Sequence, residues 1–140
     1  MSRKTVLYII LFFLYMGFNP FRIIGMNELK AEIVQIQPFP QSELISTSNG
    51  FNNNALAQRT FRNPPKVSYD EILKFYQNQL VSEGWEMDRL IIKTTRGMPK
   101  RVFYKNKTIL YVEMSEVGQA HSVGLVRDIN LFGFVKDPRR

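Results

Sequence analysis

The segment SYDEILKFYQNQLVSEGW, Ser68 to Trp85, has a periodicity, a start signal and a stop signal that all agree, and it decides the fold. Ser68 can accept a hydrogen bond from an early backbone N–H. Glu71, three places on, can reach back to the Ser68 N–H, which makes a capping box. Asp70 and Glu71 also suit the positive end of the helix dipole. Tyr69, Ile72, Leu73, Tyr76 and Leu80 recur at spacings of three and four and line one face, while Lys74, Gln77, Asn78 and Ser82 take the other. Gly84 supplies the left-handed position that ends the helix, and Trp85 opens the next segment. Such a helix needs a sheet to cover its apolar face.

The chain downstream of Trp85 supplies most of that sheet. Met87 to Thr95 reads as a strand around Leu90, Ile91 and Ile92, turned by Arg96-Gly97-Met98-Pro99. Arg101 to Lys105 and Thr108 to Ser115 close a hairpin at Asn106-Lys107, with Leu110, Val112 and Met114 on its buried face and Ile109, Tyr111 and Glu113 on the other. Gly118 and Gln119 mark a turn before a last long strand, Ser122 to Ile129. Asn130 to Val135 either extends that strand across a bulge at Gly133 or packs beside it. Upstream, Asn27 to Ala31 reads as a polar spacer and Glu32 to Gln37 as a first strand, with Ile33 facing away from Val34 and Ile36, ending at Pro38. Residues 38–65 are rich in Asn, Ser and Pro. A structureless loop of that length is rare in a compact domain, so Glu43 to Thr47 and Gln58 to Phe61 are read as strands flanking a turn at Asn49-Gly50. The order predicts an α+β two-layer sandwich, one amphipathic helix on an antiparallel sheet of about four to five strands, preceded by an N-terminal hydrophobic helix.

That N-terminal element begins with Ser2, Arg3 and Lys4 and continues as VLYIILFFLYMGF, Val6 to Phe18, without a charge. Val6, Leu7, Ile9, Ile10, Leu11, Phe12, Phe13, Leu14 and Phe18 are its apolar body. A cleavable signal peptide fits the basic start and the length of the run, but residues 19–25 offer no pair of small residues at cleavage spacing. An uncleaved signal anchor over Thr5 to Ile24 fits if Arg22 snorkels to the headgroups, and it is the favoured reading. A buried core helix is disfavoured by apolarity on all sides. Either membrane reading leaves Arg3 and Lys4 in the cytoplasm and puts the folded part outside it. The expected organisation is residues 1–26 as anchor or signal, 27–136 as one extracytoplasmic domain and 137–140 as a tail.

The 140 residues leave room for one small core. With 44% hydrophobic and 13% aromatic residues the chain should fold. There are no cysteines, which excludes disulfides, thiolate metal sites, cysteine nucleophiles and lipid attachment through cysteine. No phosphate-binding Gly-rich loop and no nucleophile elbow is present. His121, the single histidine, falls in an expected turn and is read as a surface residue. Glu113 with Glu116 is too thin a basis for zinc. Neither a catalytic residue nor a cofactor nor a metal is expected.

An early Pro-Phe-Pro (38–40), a polar loop, then the helix ending FYQNQLVSEGW (Phe75 to Trp85) and its following strands resemble a widespread group of small extracytoplasmic bacterial domains of unknown function, many of them lipoproteins. The resemblance covers roughly residues 32 to 130. It implies a fold and a compartment and carries no catalytic residue. Without a cysteine, this chain would replace the lipid anchor of those proteins by a helix.

The net charge of +7 permits anionic partners. Arg89, Lys93, Arg96, Lys100, Arg101, Lys105 and Lys107 run without an intervening carboxylate and are interleaved with Phe103 and Tyr104. On a hairpin they could meet phosphate groups of lipid or an anionic polymer, and outside the cytoplasm nucleic acid is disfavoured. A solvated face whose lysines guard a sheet edge is the plainer reading of the same run. The expected role is a non-enzymatic, membrane-anchored accessory or binding module of an envelope or membrane assembly, with a protein partner. A small envelope enzyme or chaperone-like factor, and a soluble exported binding protein, are the alternatives.

Overall fold

The structure, a computed structural model, describes residues 1–15, 19–51, 54–90, 92–93, 97–115, 119–130 and 132–139. Among them, three helices, α1 (Arg3–Tyr15), α2 (Pro20–Ile33) and α3 (Tyr69–Ser82), accompany seven strands: β1 (Glu43–Gly50), β2 (Ala55–Arg62), β3 (Glu86–Met87), β4 (Ile92–Lys93), β5 (Pro99–Lys105), β6 (Thr108–Met114) and β7 (Ala120–Arg127). The sheet is antiparallel throughout, in the order β1-β2-β7-β6-β5-β3, with β4 pairing the same edge of β5 as β3.

Strand registers place Asn49, Ala57, Leu125, Leu110, Phe103 and Met87 in one row across the sheet, and the middle four are fully buried. This is the helix-covered face. Leu29 and Ile33 of α2 and Ile72, Leu73, Tyr76 and Leu80 of α3 complete the core, as the spacing in α3 requires. The C-terminal end of α3 forms as its sequence dictates, and the N-terminal end forms the Ser68 half of the expected capping box. The Glu71 N–H donates to Ser68 Oγ at 3.2 Å. At the other end Gly84, at φ +90°, lets Gly84 and Trp85 donate to the carbonyls of Val81 and Leu80 in a Schellman arrangement.

The α+β class holds, but the sandwich carries two covering helices rather than one, and seven strands rather than four or five. The segment 32–37 is not a strand. It is the end of α2 and a following turn: Ile33 and Ile36 are buried while Val34 is exposed, a period of three where a strand needs two. The reading of Met87 to Thr95 as one strand is also corrected. It breaks into β3 and β4 around Asp88, whose carboxylate accepts from the Leu90 N–H, and Leu90 is left exposed. The expected hairpin in residues 38–65 does form, but Asn49 and Gly50 are paired within β1 and are not its turn. The edge strand β1 is exposed along its length, and its register shifts between Leu44 and Ser46, a kink that blunts a free edge.

Candidate interaction surfaces

Helix α1 is the most unusual surface of the molecule. A helix docked on a core shows an apolar stripe and a polar face. Here Val6 through Phe13, all the way round, are between 41% and 70% exposed. Of the expected membrane residues, Leu14 is half-buried and Phe18 lies outside the described positions. Ser2 starts the helix by accepting from the Thr5 N–H at 3.2 Å, and Arg3 and Lys4 follow in its first turn. At 13 residues α1 rises about 20 Å. Among the described residues no helix is long and apolar enough to cross a membrane.

The expected anchor of Thr5 to Ile24 is interrupted by a second helix start. Asn19 adopts an extended backbone and its Oδ1 accepts from the Phe21 N–H, with Pro20 at the first helical position. Arg22 does not point away to solvent or headgroups: its Nε donates to the Ile129 carbonyl at 2.9 Å. Gly25 is buried, where a Cβ would overlap Ile129 and come within 3.3 Å of Ala55. Residues 20 to 33 therefore belong to the domain, and the boundary expected at 26/27 falls inside α2.

The basic run is divided by strand alternation. Arg101 and Lys105 share the helix-covered face with Phe103, whereas Lys100 is on the opposite face, its ammonium 4.6 Å from the ring centre of Tyr111. Lys105 is committed to α3: its Nζ donates to the Glu83 carbonyl at 2.6 Å, by the Trp85 ring. Lys107 lies in the Asn106-Lys107 turn, where both residues take positive φ, and Arg89 sits in the β3–β4 connection. Lys93 is in β4 by its backbone, and Arg96 lies outside the described residues. Among the described residues of the run, Lys105 and Lys107 are brought together at one end of the sheet. A groove of about 260 Å³ opens there between the ends of α2 and α3, lined by Glu32, Trp85, Lys105, Asn106 and Arg127 among others. Arg127 is already paired, to Glu28 at 2.8 Å and to Glu32 at 2.5 Å, and donates to Thr108.

The expectation of a surface histidine is overturned. His121 is fully buried in β7, on the same face as Val123 and Leu125, and stacks on Phe61. Asn63 Oδ1 can only accept, so His121 Nδ1–H donates to it at 2.6 Å. Nε2 is then the acceptor for the Tyr76 hydroxyl at 2.7 Å, and that hydroxyl accepts from the Phe39 N–H at 3.1 Å. Burial holds the imidazole down at about 4 and the Tyr76 phenol up at about 12, so both are neutral across the physiological range. The network ties α3, β7 and two loops with every polar atom of its ring satisfied. The space beside it, bounded by Ile33, Ile36, Phe61 and Val123, is too small to hold a water molecule. The arrangement ties the fold together across α3, β7 and the loops. The alternation His121-x-Val123-x-Leu125 was the sequence signal for this burial. Among the described residues, no three His, Asp or Glu side chains gather as a metal site.

Compared with protein-family models, with curated proteins and with solved structures, the chain finds no match.

Proposed function

We propose that the chain is a non-enzymatic accessory or binding module, held to a membrane by its N-terminal segment, with the α+β domain on the extracytoplasmic side serving an envelope or membrane protein assembly. One observation carries the reading: over Val6 to Phe13, α1 carries large hydrophobic side chains around its whole circumference, and every one of them is exposed. In water this is costly. Burying the side chains of Val6 to Phe13 in hydrocarbon returns on the order of 10 kcal/mol. The helix is about 10 Å shorter than a hydrocarbon core of about 30 Å, a mismatch that costs a few kcal/mol through local thinning. Insertion wins. Arg3 and Lys4 at the start of the helix favour the cytoplasmic side for that end. The resemblance of Phe75 to Trp85 to small extracytoplasmic bacterial domains supports the same compartment.

The test is fractionation of the full chain in a bacterial host, with intact mass measured on the product. The wild type should stay with membranes after alkaline carbonate washing, and an Ile9→Asp/Phe12→Asp chain should be released. Recovery of the intact wild-type chain from the soluble fraction would sink the anchor. Purification in mild detergent then asks for a protein that accompanies the chain in fixed proportion, which the accessory role requires.

A further inference from the structure

Four large apolar side chains on the folded domain are exposed close together: Phe21 and Ile24 on the first turns of α2, and Phe132 and Phe134 in the segment after β7, the last two 79% and 71% exposed. They are gathered by a clamp. Asn19, almost wholly buried, caps α2 with its Oδ1 and donates from Nδ2 to the Asn130 carbonyl at 3.0 Å. Arg22 Nε holds the neighbouring Ile129 carbonyl at 2.9 Å. Gly133, at φ +85°, lies against the Phe21 ring so closely that a Cβ would stand 2.9 Å from it. The turn between is tied internally. Asn130 Oδ1 accepts from the N–H groups of both Phe132 and Phe134, the Asn130 N–H donates to the Phe134 carbonyl, and Ile129 bridges to Val135. A turn fixed in this way, presenting two phenylalanines outward, is not loose chain that failed to find the core.

We infer that Phe21, Ile24, Phe132 and Phe134 form a second lipid contact, seating the domain in the headgroup region of the same bilayer that holds α1. The inference rests on the anchor reading above. Position argues for lipid over other occupants. Between Tyr15, the end of α1, and Pro20, the start of α2, stand four residues, so the two helix ends are five residue steps apart, at most about 18 Å. The N-terminus of α2 and everything clamped to it must lie within that distance of the membrane. An anchor short of the bilayer thickness draws it closer still. Aromatic rings are suited to that depth, and a backbone whose donors are satisfied within the turn can enter it cheaply.

The absence of cysteine from the chain makes the test clean. Single-cysteine variants Tyr8→Cys, Phe132→Cys, Phe134→Cys and Leu90→Cys of the full chain are labelled with a nitroxide and reconstituted into vesicles of equimolar phosphatidylcholine and phosphatidylglycerol. Collision of each label with lipid-soluble oxygen is compared with collision with an aqueous nickel chelate. Leu90 is exposed in the β3–β4 connection, beside the β5 edge of the sheet, and serves as the aqueous reference. Labels at 132 and 134 should show an oxygen-to-nickel ratio several-fold above that at 90, approaching the label at 8. An aqueous ratio at 132 and 134 with a lipid ratio at 8 overturns the second contact and leaves the anchor standing. An aqueous ratio at 8 overturns both. Spin–spin broadening at 132 without oxygen exposure would mark a second copy of the chain as the occupant, and overturns the inference as well.

Discussion

At the scale of single residues, His121 makes stability depend on pH in a direction fixed by its burial. Its folded value, lowered from 6.5 to about 4, means that the unfolded chain takes up the proton first. The contribution is therefore complete above pH 6.5, drains away as pH falls toward 4, and levels off below. Between pH 7 and pH 5 the loss is about 2 kcal/mol. Urea unfolding at the two pH values should show it, and His121→Gln should flatten the difference; an unchanged slope in that variant would assign the titration elsewhere. On the other sheet face Tyr111 lies across Gly124, its hydroxyl donating to Gln58, so that a Cβ at 124 would overlap the phenol ring. Gly124→Ala should cost about 1–3 kcal/mol. Combined with Tyr111→Ala, which removes the overlapping atoms, the cost should be less than the sum of the two single changes in a double-mutant cycle. Additive costs would mean that the ring moves aside freely. The contact of Tyr111 with Gly124 was not legible from the chain alone. Tyr111 and Gly124 meet only through a register between strands, and the burial of His121 was masked by the nearby turn residues Gly118 and Gln119.

At the scale of elements, the legible parts were those whose signals are local. The capped helix α3 and the β5–β6 hairpin carry their own start, period and stop, and both stand where expected. Removing the cap in Ser68→Ala should lower stability by about 1 kcal/mol in urea unfolding, and no change would show the Glu71 N–H to be equally well served by water. Helix α2 was missed although its signals were present: Asn19-Pro20 as N-cap and first residue, then Gly25, Leu29, Ile33 and Ile36 along one face. The preceding apolar run absorbed its first turn, so a helix boundary was read as an interruption in a membrane segment. The described cations of the basic run show the converse, that neighbours in sequence need not share a face. A run that is continuous in sequence is divided by the two-residue period of a strand, and Lys105 is consumed in satisfying the end of α3.

At the scale of the whole molecule, the exposure of Val6 to Phe13 predicts that α1 adds little to the stability of the domain. A chain lacking residues 1–15 should unfold in urea within about 0.5 kcal/mol of the full chain in the same detergent, since α1 buries nothing of its own in the core. A loss of several times that figure would show that α1 packs on the domain. The topology also has a bearing on how the chain reaches this state. Two hairpins, β1–β2 and β5–β6, close over short turns, but β7 pairs with both β2 and β6 and joins them. Arg62 finds Ala120, and Ala55 finds Arg127, only after the intervening chain has been made. Such remote pairings are slow to form. During synthesis the early half must therefore wait as an unjoined hairpin, its inner edge open, until the final strand slides between the two sub-sheets. A chain interrupted before residue 120 has no means of becoming one sheet, because only β7 joins β2 to β6 among the described strands.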